Sequence, residues 1–264
     1  TMSEKLKSEG QCLFCSKLYT KAGINRHLQK HLEQKVKGGR PGKSFLLKVE
    51  TKKSWGSTPY FLSLWIDGEA EMDDLDFFLR SIWLECCGHM SSFTNPKNRP
   101  QYGGMWDFFE AQELFEKGKT RAYEKMMEEG KGEVPMSRKA KDVFEEKLTL
   151  EYEYDFGSTT ALQVTAMSVY PVKADQKIVL LSRNEPLVVM CSACGKKPAT
   201  QICTVCYYEE ESQFCDTCAE AHAKQCEDFD DYAAMPVVNS PRMGMCGYEG
   251  GDIDIERDRI IKQA

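Results

Sequence analysis

The sharpest alternation of apolar and polar positions lies at residues 147–154, where Leu148, Leu150, Tyr152 and Tyr154 share one face and Thr149, Glu151 and Glu153 the other. Period-two alternation predicts a half-buried strand. Asp155-Phe-Gly-Ser158 then turns the chain into a second strand over Thr159 to Val169, with Gly157 expected to supply the positive φ of a tight hairpin. Phe45 to Glu50, Tyr60 to Ile66 and Lys177 to Ser182 are short runs rich in aromatic and branched residues, and read as further strands. Between them the spacing changes: Leu75, Phe78, Leu79, Ile82 and Cys86 recur at helical intervals after Asp73 and Asp74, acids suited to the positive end of a helix dipole. Gly88 is the expected helix stop. Phe77, Trp83 and Leu84 add apolar surface elsewhere on this helix, which predicts that it is sandwiched and mostly buried.

Trp106 to Lys117 and Arg121 to Glu129 read as two helices broken at Gly118, and Ser137 to Glu146 as one more short helix. The charged, glycine-punctuated stretch 117–135 is expected to be exposed. These elements define an α+β domain over residues 45–186, a helix packed on an antiparallel or mixed sheet.

Cysteine changes this picture at both ends. From Cys191 the chain reads C-x2-C, eight residues, C-x2-C, eight residues, C-x2-C, then His222 and Cys226. Eight soft ligands in such a stretch are enough for two tetrahedral zinc ions. A cross-brace would place Cys191, Cys194, Cys215 and Cys218 on one ion and Cys203, Cys206, His222 and Cys226 on the other. Both sites would be closed, serving folding and not a catalytic water. The module is expected over residues 187–232, followed by a tail over 233–264. Near the other end, Cys12, Cys15, His27 and His31 form C-x2-C, eleven residues, H-x3-H, with Tyr19 and Ile24 as a small core pair, which predicts a ββα unit over residues 1–34 and a third zinc. Nine cysteines and three histidines are thereby assigned to three zinc ions, and Cys86, Cys87, His89 and Cys246 are left over.

The net charge of −6 is unevenly spread. Residues 1–43 hold ten Lys or Arg against three Glu, a net +7, and the rest of the chain carries −13. Residues 35–44, Lys-Val-Lys-Gly-Gly-Arg-Pro-Gly-Lys-Ser, read as a flexible basic linker. Its likeness to a phosphate-binding loop fails because Lys37 stands where glycine is required and a strand follows. A polyanion should therefore meet Lys21, Arg26, Lys30, Lys35, Lys37, Arg40 and Lys43 first. Base reading is a weaker expectation, since Gly23 occupies one of the positions that would face the groove. The acidic runs Glu209 to Glu211 and Glu227 to Asp231 suit the opposite end to a basic or peptide partner. No apolar run is long enough to span a bilayer, no charged leader opens the chain, and thiols held by metal fit a reducing cytoplasm.

Phe61-Leu-Ser-Leu-Trp-Ile66, Ile82-Trp-Leu-Glu-Cys-Cys-Gly-His-Met90 followed by Phe93, and Tyr152-Glu-Tyr-Asp-Phe-Gly-Ser158 together resemble the plasmid Ri ORF-three-like family, small α+β proteins labelled as mobile-element passengers or transposase-like. The resemblance covers residues 44–185 and implies a setting beside mobile elements more than it implies a reaction; a place in a mobile-element or genome-defence system is the expectation that goes with it. Members that continue the second motif with Asp, Trp and His differ from this chain, which has Ser158, Thr160 and Leu162. The Cys191 to Cys226 stretch resembles a B-box or MYND-type cross-brace, and the short gap between Cys215 and Cys218 favours the B-box side. The residues 1–34 unit resembles a two-Cys-two-His zinc finger.

Three functions follow. The first is a non-enzymatic zinc-binding adaptor, contacting nucleic acid or an acidic partner through the basic end, and protein partners through the central domain and cross-brace. The second is a nucleic-acid-acting enzyme using His89, Cys86 or Cys87, and Asp155; against it stands a packing role in which Cys86 is core and His89 bonds a backbone carbonyl. With His27, His31 and His222 committed to zinc, His89 is the imidazole left for base chemistry. A fourth metal site would need Asp155 or Cys246 as partner. The third function is a structural subunit of a larger complex, with apolar surface exposed around Trp83, Trp106 and the methionines. The tail Pro241-Arg-Met-Gly-Met-Cys-Gly-Tyr248 either folds back as a strap or binds a partner.

Overall fold

Neighbouring residues on the same strands carry apolar side chains on opposite faces, so the central sheet needs cover on both sides. The computed structural model describes residues 8–52, 60–98, 112–123, 132–207 and 211–259. A two-stranded hairpin, β1 (Glu9–Gln11) and β2 (Leu18–Thr20), leads into helix α1 (Ile24–Val36). Then come β3 (Pro41–Thr51), β4 (Phe61–Asp67), α2 (Met72–Leu79) with a π-helical turn over Arg80–Leu84, β5 (Ser91–Thr94), β6 (Glu133–Val134), α3 (Ala140–Val143), β7 (Thr149–Tyr154), β8 (Thr160–Val172) and β9 (Ile178–Arg183). The strands from β3 to β9 form one antiparallel seven-stranded sheet in the order β6-β5-β7-β8-β3-β4-β9.

On one face Phe45, Leu47 and Val49 of β3 and Leu62, Leu64 and Ile66 of β4 pack with Leu75, Leu79, Ile82 and Trp83 of α2 and its π turn. On the other, Leu46, Phe61 and Trp65 meet Ile24, Leu28 and Leu32 of α1. This double cover is why β4 is buried at every residue and reads as a continuous apolar run instead of alternating. β7, towards the other side of the sheet, keeps the strict alternation that marked it in the sequence.

Several expectations are corrected. The cysteine-and-histidine unit is not a satellite on a tether: α1 is the second layer of the central domain. The apolar stripe of α1 and the outward face of β3 and β4 each need burial and satisfy one another. Polar pairs fix the docking, with Ser63 Oγ donating to Asn25 Oδ1 at 2.9 Å in the interior and Gln29 Nε2 to Ser168 Oγ at 2.7 Å in a half-buried position. The basic stretch 35–44 is mostly regular structure, because α1 runs to Val36 and β3 begins at Pro41. In the β7–β8 turn the positive φ falls on Asp155 (62°), not Gly157, and the Asp155 carboxylate accepts the Gly157 and Ser158 N–H groups at 3.0 and 3.2 Å. An acid that bonds its own turn tolerates the left-handed region. The long helix ends at Leu84 and not at Gly88, and the helix expected at 137–146 is the single turn α3. Of the two helices expected around Gly118, residues 112–116 and 120–123 are helical and break at Gly118 (φ 66°), while 106–111 and 124–131 lie outside the described residues.

After β9 a small sheet forms in the order β11-β10-β12 from β10 (Gln201–Cys203), β11 (Gln213–Phe214) and β12 (Ala234–Pro236), with helix α4 (Asp216–His222) beside it. The tail then folds back as a strap. Ser240 Oγ donates to the Trp83 carbonyl at 2.7 Å, the Asp252 N–H to the Ser81 carbonyl at 2.7 Å, and Tyr248 is fully buried. Trp83 is buried too, so it adds nothing to an exposed patch, and Trp106 lies outside the described residues.

Candidate metal centres

Four groups of cysteine and histidine converge among the described residues, each with its potential ligand atoms within 4.8 Å of one another. They are Cys12, Cys15, His27 and His31; Cys191, Cys194, Cys215 and Cys218; Cys203, Cys206, His222 and Cys226; and Cys86, Cys87, His89 and Cys246. The first three are the sets anticipated from spacing, including the crossed pairing of the first cysteine pair with the third.

In the first, the β1–β2 hairpin brings the two cysteines to α1, where His27 and His31 stand one turn apart. Cys15 Sγ lies 3.2 Å from His27 Nε2, and the two Nε2 atoms are 3.1 Å apart. Tyr19, expected to pair with Ile24, stacks on the His27 ring at 4.0 Å, and Ile24 packs with Leu46, Phe61 and Trp65 of the sheet. In the cross-brace, Cys194 Sγ to Cys215 Sγ and Cys203 Sγ to Cys226 Sγ are each 4.0 Å, and Cys206 Sγ lies 3.7 Å from His222 Nε2. Phe214 stacks on His222 at 4.3 Å and Phe229 meets it edge-on, fixing the ring.

These separations suit a shared ion. Sulfurs bound about 2.3 Å from a tetrahedral zinc stand about 3.8 Å apart, whereas a disulfide requires about 2.05 Å. All twelve cysteines are free thiols. The cross-brace thiols differ in their electrostatics: burial, and then the neighbouring Cys203, push the Cys206 thiol up to about 12, and contacts with Cys215 and Cys191 push Cys218 up to about 12. For Cys191 burial opposes ionisation, but backbone N–H groups of Cys215 and Cys194 outweigh it and bring the thiol down to about 6. Whatever their separate ionisation, these donors are the soft set that zinc-class metals select.

The fourth group holds three of the catalytic candidates, Cys86, Cys87 and His89, with the fourth, Asp155, beside it. His89 Nε2 lies 3.2 Å from Cys246 Sγ and 3.7 Å from Asp155 Oδ2. Cys86 packs between the main core and the strap, while Cys87 and Cys246 are exposed. Hence His89 faces thiol and carboxylate partners, not the backbone carbonyl of the packing alternative. Sequence reasoning missed Arg242, which is fully buried and donates to Asp155 Oδ2 at 2.5 Å, to the Ser158 carbonyl at 2.5 Å and towards Cys86 Sγ at 3.6 Å. That guanidinium, opposed by burial, holds the Asp155 carboxyl well below its usual range, at about 2. The signal was present: one arginine within an apolar, glycine-rich tail.

Of the basic residues expected to meet a polyanion, Lys21 pairs with Glu50 at 2.9 Å, Lys35 pairs with Asp175 and lies over the Phe14 and Trp65 rings, and Lys43 lies over Phe45. Arg26, Lys30, Lys37, Arg40 and Lys43 are exposed. No helix among the described residues is long and apolar enough to cross a membrane.

No family model matches the chain, and no curated protein matches it. Among solved structures it is similar to a protein of unknown function, MM3350, from Methanosarcina mazei Go1, with 18% identity over 72% of this chain and 86% of that one and a TM-score of 0.37. The class that the fold and sites define is a mixed α+β protein with four Cys/His clusters able to bind metal.

Proposed function

We propose that this protein is a non-enzymatic zinc-organised adaptor that binds a basic peptide segment on its cross-brace. The observation that carries the reading is a cleft beside α4, floored by Ala219, Ala223 and Phe229 and rimmed by Asp216, Glu220 and Asp230, with Lys224 the one cation among its lining residues. An apolar floor within an acidic rim takes the aliphatic stems of Lys or Arg while pairing their heads. Zinc in the cross-brace supports this surface and leaves no coordination position for water, because every ligand is a protein atom.

The test is isothermal titration of the zinc-loaded chain with Arg- and Lys-containing peptides at two salt concentrations. Binding that weakens with salt and falls about tenfold or more in Glu220→Lys/Asp230→Lys, roughly 1.4 kcal/mol, is the expected result. Equal affinity for parent and charge-reversed chains would overturn it.

A nucleic-acid role rests on Arg26, Lys30, Lys37, Arg40 and Lys43, exposed cations of the basic end. Because removing residues 1–43 would strip one face of the sheet, its test is Lys30→Glu/Lys37→Glu/Arg40→Glu in the full chain. Salt-sensitive duplex binding lost in that variant supports this role, and its absence at low salt removes it.

A further inference from the structure

Cys86, Cys87 and His89 follow the π-helical turn that closes α2, and Cys246 comes from the strap, 157 residues beyond His89. We propose that these four side chains are a fourth zinc-class site, a Cys3His clasp that fastens the strap to the end of α2. It is independent of the adaptor reading, since none of its ligands lines the cleft beside α4.

The distances fit one ion. Cys87 Sγ and Cys246 Sγ are 3.8 Å apart, the sulfur separation of a tetrahedral zinc, and His89 Nε2 completes the approach at 3.2 Å from Cys246 Sγ. A Cys87–Cys246 disulfide would need the sulfurs to close to about 2.05 Å and would leave Cys86 and His89 without a role.

The backbone is shaped for this convergence from both sides. Gly88 sits at φ 70°, reversing the chain so that residues on either side of it reach one point. Cys246 itself adopts φ 48°, a left-handed conformation costly for a side chain that does not bond its own turn. Strain at a cysteine aimed at two other thiols and an imidazole is what a metal ligand would repay.

A surrounding shell holds the ligands. The Arg242 guanidinium donates towards Cys86 Sγ at 3.6 Å, and the Tyr154 hydroxyl, whose proton goes to Glu85 Oε1, lies 3.8 Å from the same sulfur; Asp155 Oδ2 stands 3.7 Å from His89 Nε2, the nitrogen assigned to the metal. Arg242 also bonds Asp155, so one buried cation ties the shell together. Unlike the cross-brace ligands Cys191, Cys203, Cys206 and Cys215, which are buried, Cys87 and Cys246 are exposed. This ion is therefore the most open to exchange with solution, and its loss frees the Met243–Gly247 turn while Arg183, Ser240 and Arg242 still hold the rest of the strap.

The test is native mass spectrometry of the full chain after zinc loading under reducing conditions, beside Cys246→Ser and Cys87→Ser. Each variant should bind one zinc fewer than the parent. Cobalt loading should show thiolate charge-transfer absorption that falls in both variants. Because the two residues are exposed, unchanged near-ultraviolet circular dichroism is expected to confirm folding, so a lost ion reports the site. Equal zinc content in parent and Cys246→Ser overturns the clasp, as does a parent mass two hydrogens light from a Cys87–Cys246 disulfide. Neither result bears on peptide binding at Glu220 and Asp230.

Discussion

Replacing Arg183 by Met isolates how firmly the strap belongs to the central domain. Arg183 ends β9 with a fully buried side chain. Its Nη2 donates to the Asn239 carbonyl at 2.7 Å and to Asp258 Oδ1 at 2.6 Å, and its Nη1 to the Asp254 carbonyl at 3.2 Å. Methionine fills much of the volume and offers no donor. Asp258, 3% exposed, would keep the Gly251 N–H at 3.0 Å but lose its cation. Removing one partner of a buried pair costs about 3–5 kcal/mol, because the remaining charge is left uncompensated. Applied to strap docking alone, that is roughly a hundredfold to several-thousandfold shift towards the undocked state. Urea unfolding with limited proteolysis across 239–258 measures both. Arg183→Met/Asp258→Asn should recover at least half of the loss, since no charge is then stranded. A single variant within about 0.5 kcal/mol of the parent, with the strap equally resistant to cleavage, would refute the reasoning.

Two further predictions concern the docked face of α1. Leu28 is fully buried between the helix and the sheet, so Leu28→Ala should cost about 2–5 kcal/mol in the full chain, measured by chemical denaturation; a free-standing unit on a linker would instead leave the sheet's stability unchanged. Glu50 is held below its ordinary value although burial opposes this, because Lys21 and Lys48 pair with it. A depressed carboxyl contributes stability above its unfolded pKa of about 4.3 and loses it as pH falls through the lower folded value. Glu50→Gln should therefore be less stable than the parent at pH 7 and converge on it in acid, as thermal melts from pH 7 to pH 3 would show; a constant difference across that range contradicts the assignment.

The sheet was legible where one face is covered and obscure where two are. Leu148 to Tyr154 announced its strand because β7 keeps period two, whereas β4 gave only an apolar run whose second partner, α1, lies in a segment that reads as a separate zinc unit. Spacing alone brought out the three metal clusters formed by nearby cysteine pairs and histidines, because local chain geometry forces such ligands together. Cys86, Cys87 and His89 were visible as a cluster and Cys246 stood beside Asp155 as a partner a fourth site would need, but nothing in the sequence chose between them: the approach of Cys246 depends on Arg183, Ser240 and Arg242, three buried long-range contacts that leave no periodicity. Asp155 was read as a turn residue and as a candidate beside His89, and it also takes the left-handed position that Gly157 was expected to fill.

The most direct test of a metal-organised architecture is hydrogen exchange of the full chain, zinc-loaded and after chelation. Few buried apolar residues support the cross-brace, chiefly Phe214 and Phe229 with small neighbours, so ligand convergence must supply much of its stability. Chelation should abolish protection across 191–226 while the amides of β3, β4 and β8 remain slow. Equal protection of 191–226 with and without metal would contradict the account.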